Sequence, residues 1–401
     1  MELCKTLLNE KPIDLKEDSV FTSYFLVGGD PEFARVVRGE NGEDHRILDA
    51  REGMPYCKCG AGESSQCNCF RGYLPTSVGD MGLDGHTFIY EARPHARATP
   101  TDFVKNLGTI FNMVLSVEDP TIDIISLPQF RQRSLGGHVH FGVVHATDTD
   151  VHGYLHHGSE DASPCKWCLT CEEIGDISLE DRCLAMDIAL APIIGVLEGY
   201  SGFLRRFGNN YNGSYGHVGR GSGNFRQNRW GFEYRTPGSW ASSPLRALTT
   251  LNTVRTAFKL AQDAEWVAKA IEYDRRHDIL HKMYDLWPGN MRTQAPYRAG
   301  KELLETLWTP YWNRMVGSEL LSLCYVMYRM LHKREWETAK NSLTGPHHGG
   351  APPPVSVVWN NFDFSLGVWE SLTNRYESML KTAADQHSTE LYNDFIREVV
   401  T

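Results

Sequence analysis

The chain has 401 residues and a formal net charge of −10, with 41% hydrophobic and 22% charged residues. That length carries a large core, in one enlarged domain or two, and the acidity excludes a general nucleic-acid binder while leaving room for a local basic site. No basic segment followed by a long apolar run opens the chain, and the longest apolar stretch, Leu184 to Leu204, contains Asp187, Pro192 and Glu198, so a buried helix in a cytoplasmic protein is expected, not a signal peptide or a membrane span.

Residues 1–20 are polar and without period, a lead-in. Phe25-Leu-Val and Gly28-Gly29 then predict a strand that delivers Asp30 and Glu32 to one face, because residues two apart on a strand share a side. Residues 51–77, rich in Gly, Ser and Cys, read as an insertion. Asp84-Gly85-His86 is a turn signal before a second strand, carrying Glu91 and Arg93. A helix is expected from Asp102 to Val117, with Phe103, Leu107, Ile110, Phe111 and Val114 on one face. Ile122 to Leu127 is a strand or loop edge. The stretch Ser134 to Gly142 alternates so that His138 and His140 project to one side and Val139 and Phe141 to the other, while Gly136 and Gly137 permit close approach to the backbone.

A second polar insertion, 145–177, follows. Ser178-Leu-Glu-Asp181 caps the buried helix, and Phe207 to Asn228 reads as a loop. Glu233-Tyr-Arg235 closes a fourth strand. Beyond Ser243-Pro244, a cap with Pro at the first helical position, the chain turns helical, over Leu245–Tyr273, Met315–Leu331 and Phe364–Leu380. The breaker-rich run 345–354 is either a lid or a surface connection. The organisation expected is a lead-in (1–20), a sheet domain (21–244) with the two insertions, and a mainly helical part (245–401).

Four strands each with charged groups on one face would build a wall of carboxylates, imidazoles and guanidiniums. Clustered carboxylates repel unless cations sit among them, so the wall suits divalent metals and a polyphosphate; the bland alternative is a half-buried strand whose histidines face water. Between Arg205 and Arg235 there are six arginines (Arg205, Arg206, Arg220, Arg226, Arg229, Arg235) against one acid, Glu233. In an acidic chain that reversal points to phosphate or carboxylate recognition.

Seven of the ten cysteines fall in the insertions: Cys57, Cys59, Cys67 and Cys69 in the first, Cys165, Cys168 and Cys171 in the second. In a cytoplasmic chain that usage points to metal before disulfides. Structural Zn²⁺ is the expectation, with His156 or His157 completing the second set; an iron–sulfur cluster is the alternative.

The ordered series Gly-Gly-Asp-Pro-Glu-Phe, Asp84-Gly-His with Glu91-Ala-Arg-Pro, Gly-Gly-His-Val-His-Phe-Gly and Glu-Tyr-Arg-Thr-Pro resembles the phage-type carboxylate–amine ligases (amidoligases) of the glutamine synthetase and glutamate–cysteine ligase superfamily. The likeness runs from about Phe25 to Trp240 and does not include the cysteine insertions. It implies an α+β fold: a glutamine synthetase-like curved, mainly antiparallel sheet with backing helices and a helical C-terminal third. It implies ATP-dependent amide formation through an acyl phosphate. Asp30, Glu32, Glu91, Glu233 and one or both of His138 and His140 would hold two Mg²⁺ or Mn²⁺ ions. Arg235 with Arg220 or Arg226 would clamp phosphates or the substrate carboxylate, with Arg93 a further candidate, and Arg205, Arg206 and Arg220 would meet the nucleotide. The substrates would be a carboxylate and an amine: a small molecule, a peptide or a modified nucleobase. Two other classes remain open, a guanidino kinase-like phosphotransferase and a non-catalytic zinc-stabilised binding module.

Overall fold

A computed structural model describes residues 25–38, 45–48, 74–83, 89–126, 129–130, 133–143, 177–203, 225–228, 231–242, 244–280 and scattered positions between 302 and 322. Its strands are β1 (Phe25–Arg38), β2 (His45–Ile47), β3 (Leu74–Thr76), β4 (Gly79–Leu83), β5 (Tyr90–Pro94), β6 (Ile122–Ile125), β7 (Gln129–Phe130), β8 (Arg133–Ser134), β9 (Gly137–Val143), β10 (Phe225–Asn228) and β11 (Gly231–Tyr234). The helices are α1 (Pro100–Val117), α2 (Leu179–Phe203), α3 (Pro244–Leu260) and α4 (Ala264–His277). The fold is α+β, an open antiparallel sheet with several helices.

The main sheet runs β10-β11-β9-β1-β5-β4-β3, with β2 and β6 also paired to β1. At 14 residues, β1 is long enough to serve several neighbours in turn. It pairs with β9 over Phe25–Pro31, with β5 at Glu32 and Phe33, and with β6 and β2 beyond. Strand alternation then sorts the side chains. Val27, Phe33, Val139, Phe141, Phe232, Tyr234, Tyr90, Ala92 and Met81 enter one core with α1, α2 and α3. Phe141 stacks on Phe258 of α3 at 4.3 Å between ring centroids, and burying each such ring contributes roughly 1.5–3 kcal/mol.

On the opposite face of β1 the character changes along the strand. Asp30 and Glu32 are followed by Ala34 and Val36, which pack with Ile125 and Leu135 in a small second core. A polar site is therefore walled off at Glu32 by apolar packing on the same face.

The helices follow from local signals. Thr99 caps α1, accepting from the Asp102 amide, so the helix starts at Pro100 and not at Asp102. Its residues Phe103, Leu107, Ile110, Phe111 and Val114 are buried, the stripe that the spacing predicts. Ser178 accepts from the Asp181 amide at the start of α2.

At the end of the first insertion Leu74–Thr76 forms β3, joined through a turn at 77–78 to Gly79 of β4, whose φ of 143° suits glycine. Two expectations are corrected. The presumed loop 207–228 ends in β10, paired residue for residue with β11. The single helix 245–273 is two helices: Asp263 accepts from the amides of Glu265 and Trp266 and so caps a new helix after a turn at 261–262. The lead-in, Asp84–His86, both cysteine groups, Arg205, Arg206, Arg220, Arg229, residues 345–354, the helix 364–380 and all of 315–331 except Glu319 and Ser322 lie outside the described residues.

Candidate active site

Six strands carry the polar face: β10, β11, β9, β1, β5 and β4. Opposed residues of neighbouring strands point the same way, and the register places Arg226 beside Glu233, Glu233 beside His140, His140 beside Gly28, Asp30 beside His138, Glu32 beside Glu91 and Arg93 beside Asp80. The period-two reading of Asp30/Glu32, Glu91/Arg93, His138/His140 and Glu233/Arg235 thus yields one continuous row. Glu32 and Glu233 are fully buried, and Asp30, Glu91, His138 and His140 nearly so.

At the centre, His138 Nδ1 lies 3.0 Å from Asp30 Oδ1 and 3.1 Å from Glu233 Oε1, and His140 Nε2 lies 3.4 Å from Asp30 Oδ2. Burial pushes the Asp30 carboxyl up, but the positive charges of His138 and His140 beside it prevail and hold it well below the usual carboxylate range. Burial pushes His138 down, and the charges of Asp30, Glu233 and Glu32 outweigh it, so the imidazole titrates above its ordinary value.

The contacts among Asp30 Oδ1, His138 Nδ1 and Glu233 Oε1 are close but off hydrogen-bond direction, and all three atoms are buried. Buried polar atoms ordinarily find a partner. Here Asp30, His138 and Glu233 each offer one ligand atom, all within 4.8 Å of one another, so a shared divalent cation fits the set. Two carboxylates with one imidazole favour Mn²⁺ or a His-tolerant Mg²⁺ site over a thiolate-seeking metal.

Glu32 is held separately. Its Oε2 accepts from the Gly136 amide at 2.5 Å, and its backbone oxygen accepts from Ser239 Oγ at 2.5 Å. Glu91 accepts from Arg93 Nη1 at 2.7 Å, and Arg93 Nε donates to Asp80 Oδ1 at 2.6 Å. Asp80 is a site residue that the sequence did not reveal. Arg235 Nε stands 3.1 Å from Glu233 Oε1, and Arg226, more exposed, pairs with Glu233 Oε2. Two guanidiniums therefore converge on one carboxylate at the solvent side of the cluster.

The segment after β11 locks this wall from beneath. Trp240 Nε1 donates to the Gly137 oxygen at 2.9 Å, the Ser239 amide to the Leu135 oxygen at 2.9 Å and the Gly137 amide to the Pro237 oxygen at 3.0 Å. Behind the sheet, Asp187 of α2 accepts from the hydroxyls of Tyr234 and Thr236. In the sequence Asp187 stands out only as a charge within an apolar helix; its partners lie 47 and 49 residues away.

Of the predicted site residues, Asp30, Glu32, Glu91, Arg93, His138, His140, Arg226, Glu233 and Arg235 lie on this face; Arg205, Arg206 and Arg220 are not among the described residues. Residues 185–319, about a third of the chain, match the model of the family described as phage phiEco32-like COOH.NH2 ligase-type 2. This span carries Arg226, Glu233, Arg235 and Asp187, and the match supports a phage-type carboxylate–amine ligase, an enzyme that joins a carboxylate to an amine. No match was found among curated proteins. Among the described residues, no helix is long and apolar enough to cross a membrane.

Proposed function

We propose, with the carboxylate–amine ligase match over residues 185–319 as premise, that the protein is an ATP-dependent amidoligase of glutamine synthetase-like fold working through an acyl phosphate. The observation that carries this reading is Glu233. It is fully buried, 3.1 Å from His138, and met by two guanidiniums, so one carboxylate joins a cation site to an anion site.

Asp30, His138 and Glu233 would hold one divalent cation, and Glu32 and Glu91 would serve a second. A bound cation would supply charge neutralisation for the phosphates and for the transferring phosphoryl group. The chain's own groups do the positioning. Arg235 and Arg226 would bind phosphate or the substrate carboxylate by paired hydrogen bonds, and Arg93, fixed by Asp80, would add a third cation at the far edge. The carboxylate attacks the γ-phosphorus, the bond to the ADP oxygen breaks, and the amine then attacks the acyl carbon as phosphate leaves. Catalysis of this kind needs orientation and electrostatics more than a protein nucleophile.

The test is incubation with ATP, Mg²⁺ or Mn²⁺, and sets of carboxylates and amines, following ADP release and new mass. A ligase gives amine-dependent ADP release and a product heavier by the amine less water. ATP turnover with phosphoryl transfer to nitrogen and no amide would identify a guanidino kinase-like enzyme instead. No ATP binding at all would leave a binding module and overturn the reading.

A further inference from the structure

We infer that Asp187, behind the sheet, is a positioning residue for Arg235: it grips the two core-facing side chains that flank this arginine and so sets its guanidinium against Glu233. The inference rests on the role of Arg235 as an anion clamp, proposed above.

The geometry is specific. Alternation along β11 and just past its end sends Glu233 and Arg235 to the site and Tyr234 and Thr236 to the core. Tyr234 OH donates to Asp187 Oδ1, and Thr236 Oγ1 donates to Asp187 Oδ2 at 3.2 Å. One carboxylate thereby spans the residues immediately before and after Arg235. This is also where support from the ladder ends: β11 stops at Tyr234, whose partner on β9 is Val139, and residues 235–237 are irregular. Glu233 is held by its pairing with His140 and Arg226, whereas among the described residues Arg235 has no ladder partner. Asp187, Tyr234 and Thr236 are all at most 1% exposed, so the clamp works in a dry setting where hydrogen bonds are geometrically demanding. Burial and the Asp187 charge push the Tyr234 hydroxyl well above its ordinary range, which keeps it a donor.

A packing role alone would tolerate any isosteric side chain; a positioning role would not. Thr236→Val keeps volume and loses the donor, Thr236→Ser keeps the donor, and Tyr234→Phe removes the other donor. Thr236→Val and Tyr234→Phe should each raise the KM for ATP about tenfold, the size of one buried hydrogen bond, with Thr236→Ser close to wild type. Mn²⁺ affinity of the nucleotide-free protein should stay within about threefold, since the cation ligands sit on the ladder. In an Arg235→Lys background, Thr236→Val should add little, because the arginine it positions is gone.

Amide exchange read by mass spectrometry stands apart from any turnover. Thr236→Val should speed exchange over 234–238 and leave 140–143 unchanged, since those residues pair with Gly231–Glu233 and with β1. Unchanged exchange over 234–238, additive effects with Arg235→Lys, or failure of Thr236→Ser to rescue each overturns the inference. A wild-type enzyme without ATP- and amine-dependent turnover would overturn the proposed function, and the exchange measurement would still decide the clamp.

Discussion

Glu32 and Glu91 stand directly opposite each other on neighbouring antiparallel strands, both buried and on the same face. Two carboxylates so placed repel. The Gly136 amide on Glu32 and Arg93 on Glu91 offset the repulsion locally. A divalent cation bound among such carboxylates would relieve what repulsion remains.

That arrangement predicts opposite signs for stability and activity. Glu32→Gln keeps an acceptor for the Gly136 amide and removes one charge of the pair. The metal-free variant should be as stable as wild type or stabilised by up to about 1 kcal/mol, the scale of a cross-strand charge pair. Turnover should fall at least about a hundredfold, as for loss of a major electrostatic contributor. Thermal melts with and without chelator, beside an ADP-release assay, measure both; a melting point well below wild type with intact turnover contradicts the assignment.

The cluster of Asp30, His138 and Glu233 predicts cation-linked stability. A ligand that binds only the folded state contributes about 2.7 kcal/mol at a hundred times its dissociation constant. Mn²⁺ should therefore raise the melting temperature of the wild type, and Asp30→Asn and Glu233→Gln should abolish most of that rise. Titration of Mn²⁺ followed by electron paramagnetic resonance reads the same site directly. Equal Mn²⁺ responses in all three proteins would place the cation elsewhere.

Away from the site, Arg35 and Glu118 form a buried bidentate pair, Nε to Oε2 and Nη2 to Oε1, both 2.5 Å, tying β1 to the end of α1. Burial works against the guanidinium's charge, and Glu118 restores it, keeping the group above its ordinary value. Arg35→Ala leaves a buried carboxylate without its cation and should cost about 3–5 kcal/mol, whereas Arg35→Met with Glu118→Leu should be near neutral. Urea unfolding of the single and double variants gives the comparison. A double variant as unstable as Arg35→Ala would mean that the pair contributes net stability.

The polar face was legible because strand period converts a spacing of two into a shared side, and the same rule put Val139 and Phe141 in the core. Pairing across the sheet was not legible: no local pattern says that Glu32 opposes Glu91 or that Arg226 opposes Glu233. β3 and β10 escaped because each is short, with polar or breaker residues such as Pro75, Gln227 and Asn228, and is held by a neighbour rather than by its own period. The break at 261–263 escaped because apolar residues continue across it, Ala257 and Ala261 before and Val267 after, while Asp263 caps a new helix. Asp187 and Asp80 matter through partners distant in sequence, which periodicity cannot supply.

Gly137 offers the last prediction, because its role is spatial and not conformational. A Cβ there would lie 2.4 Å from the Gly238 oxygen, 2.6 Å from Trp240 Cδ1 and 2.7 Å from Trp240 Nε1. None of these can yield cheaply: Gly238 bridges to Gly136, and the buried indole donates to the Gly137 oxygen itself. Gly137→Ala must push the 237–240 segment off β9, which also lifts Ser239 from the Glu32 oxygen. Overpacking of a tight core costs about 1–3 kcal/mol, and a lost buried hydrogen bond about 1 kcal/mol more. We expect a destabilised protein in which activity falls further than the folded fraction does, because His138 follows Gly137 directly. Circular dichroism gives the folded fraction and ADP release the activity at the same temperature. A variant with wild-type stability and turnover would mean that Trp240 does not support the His138 strand.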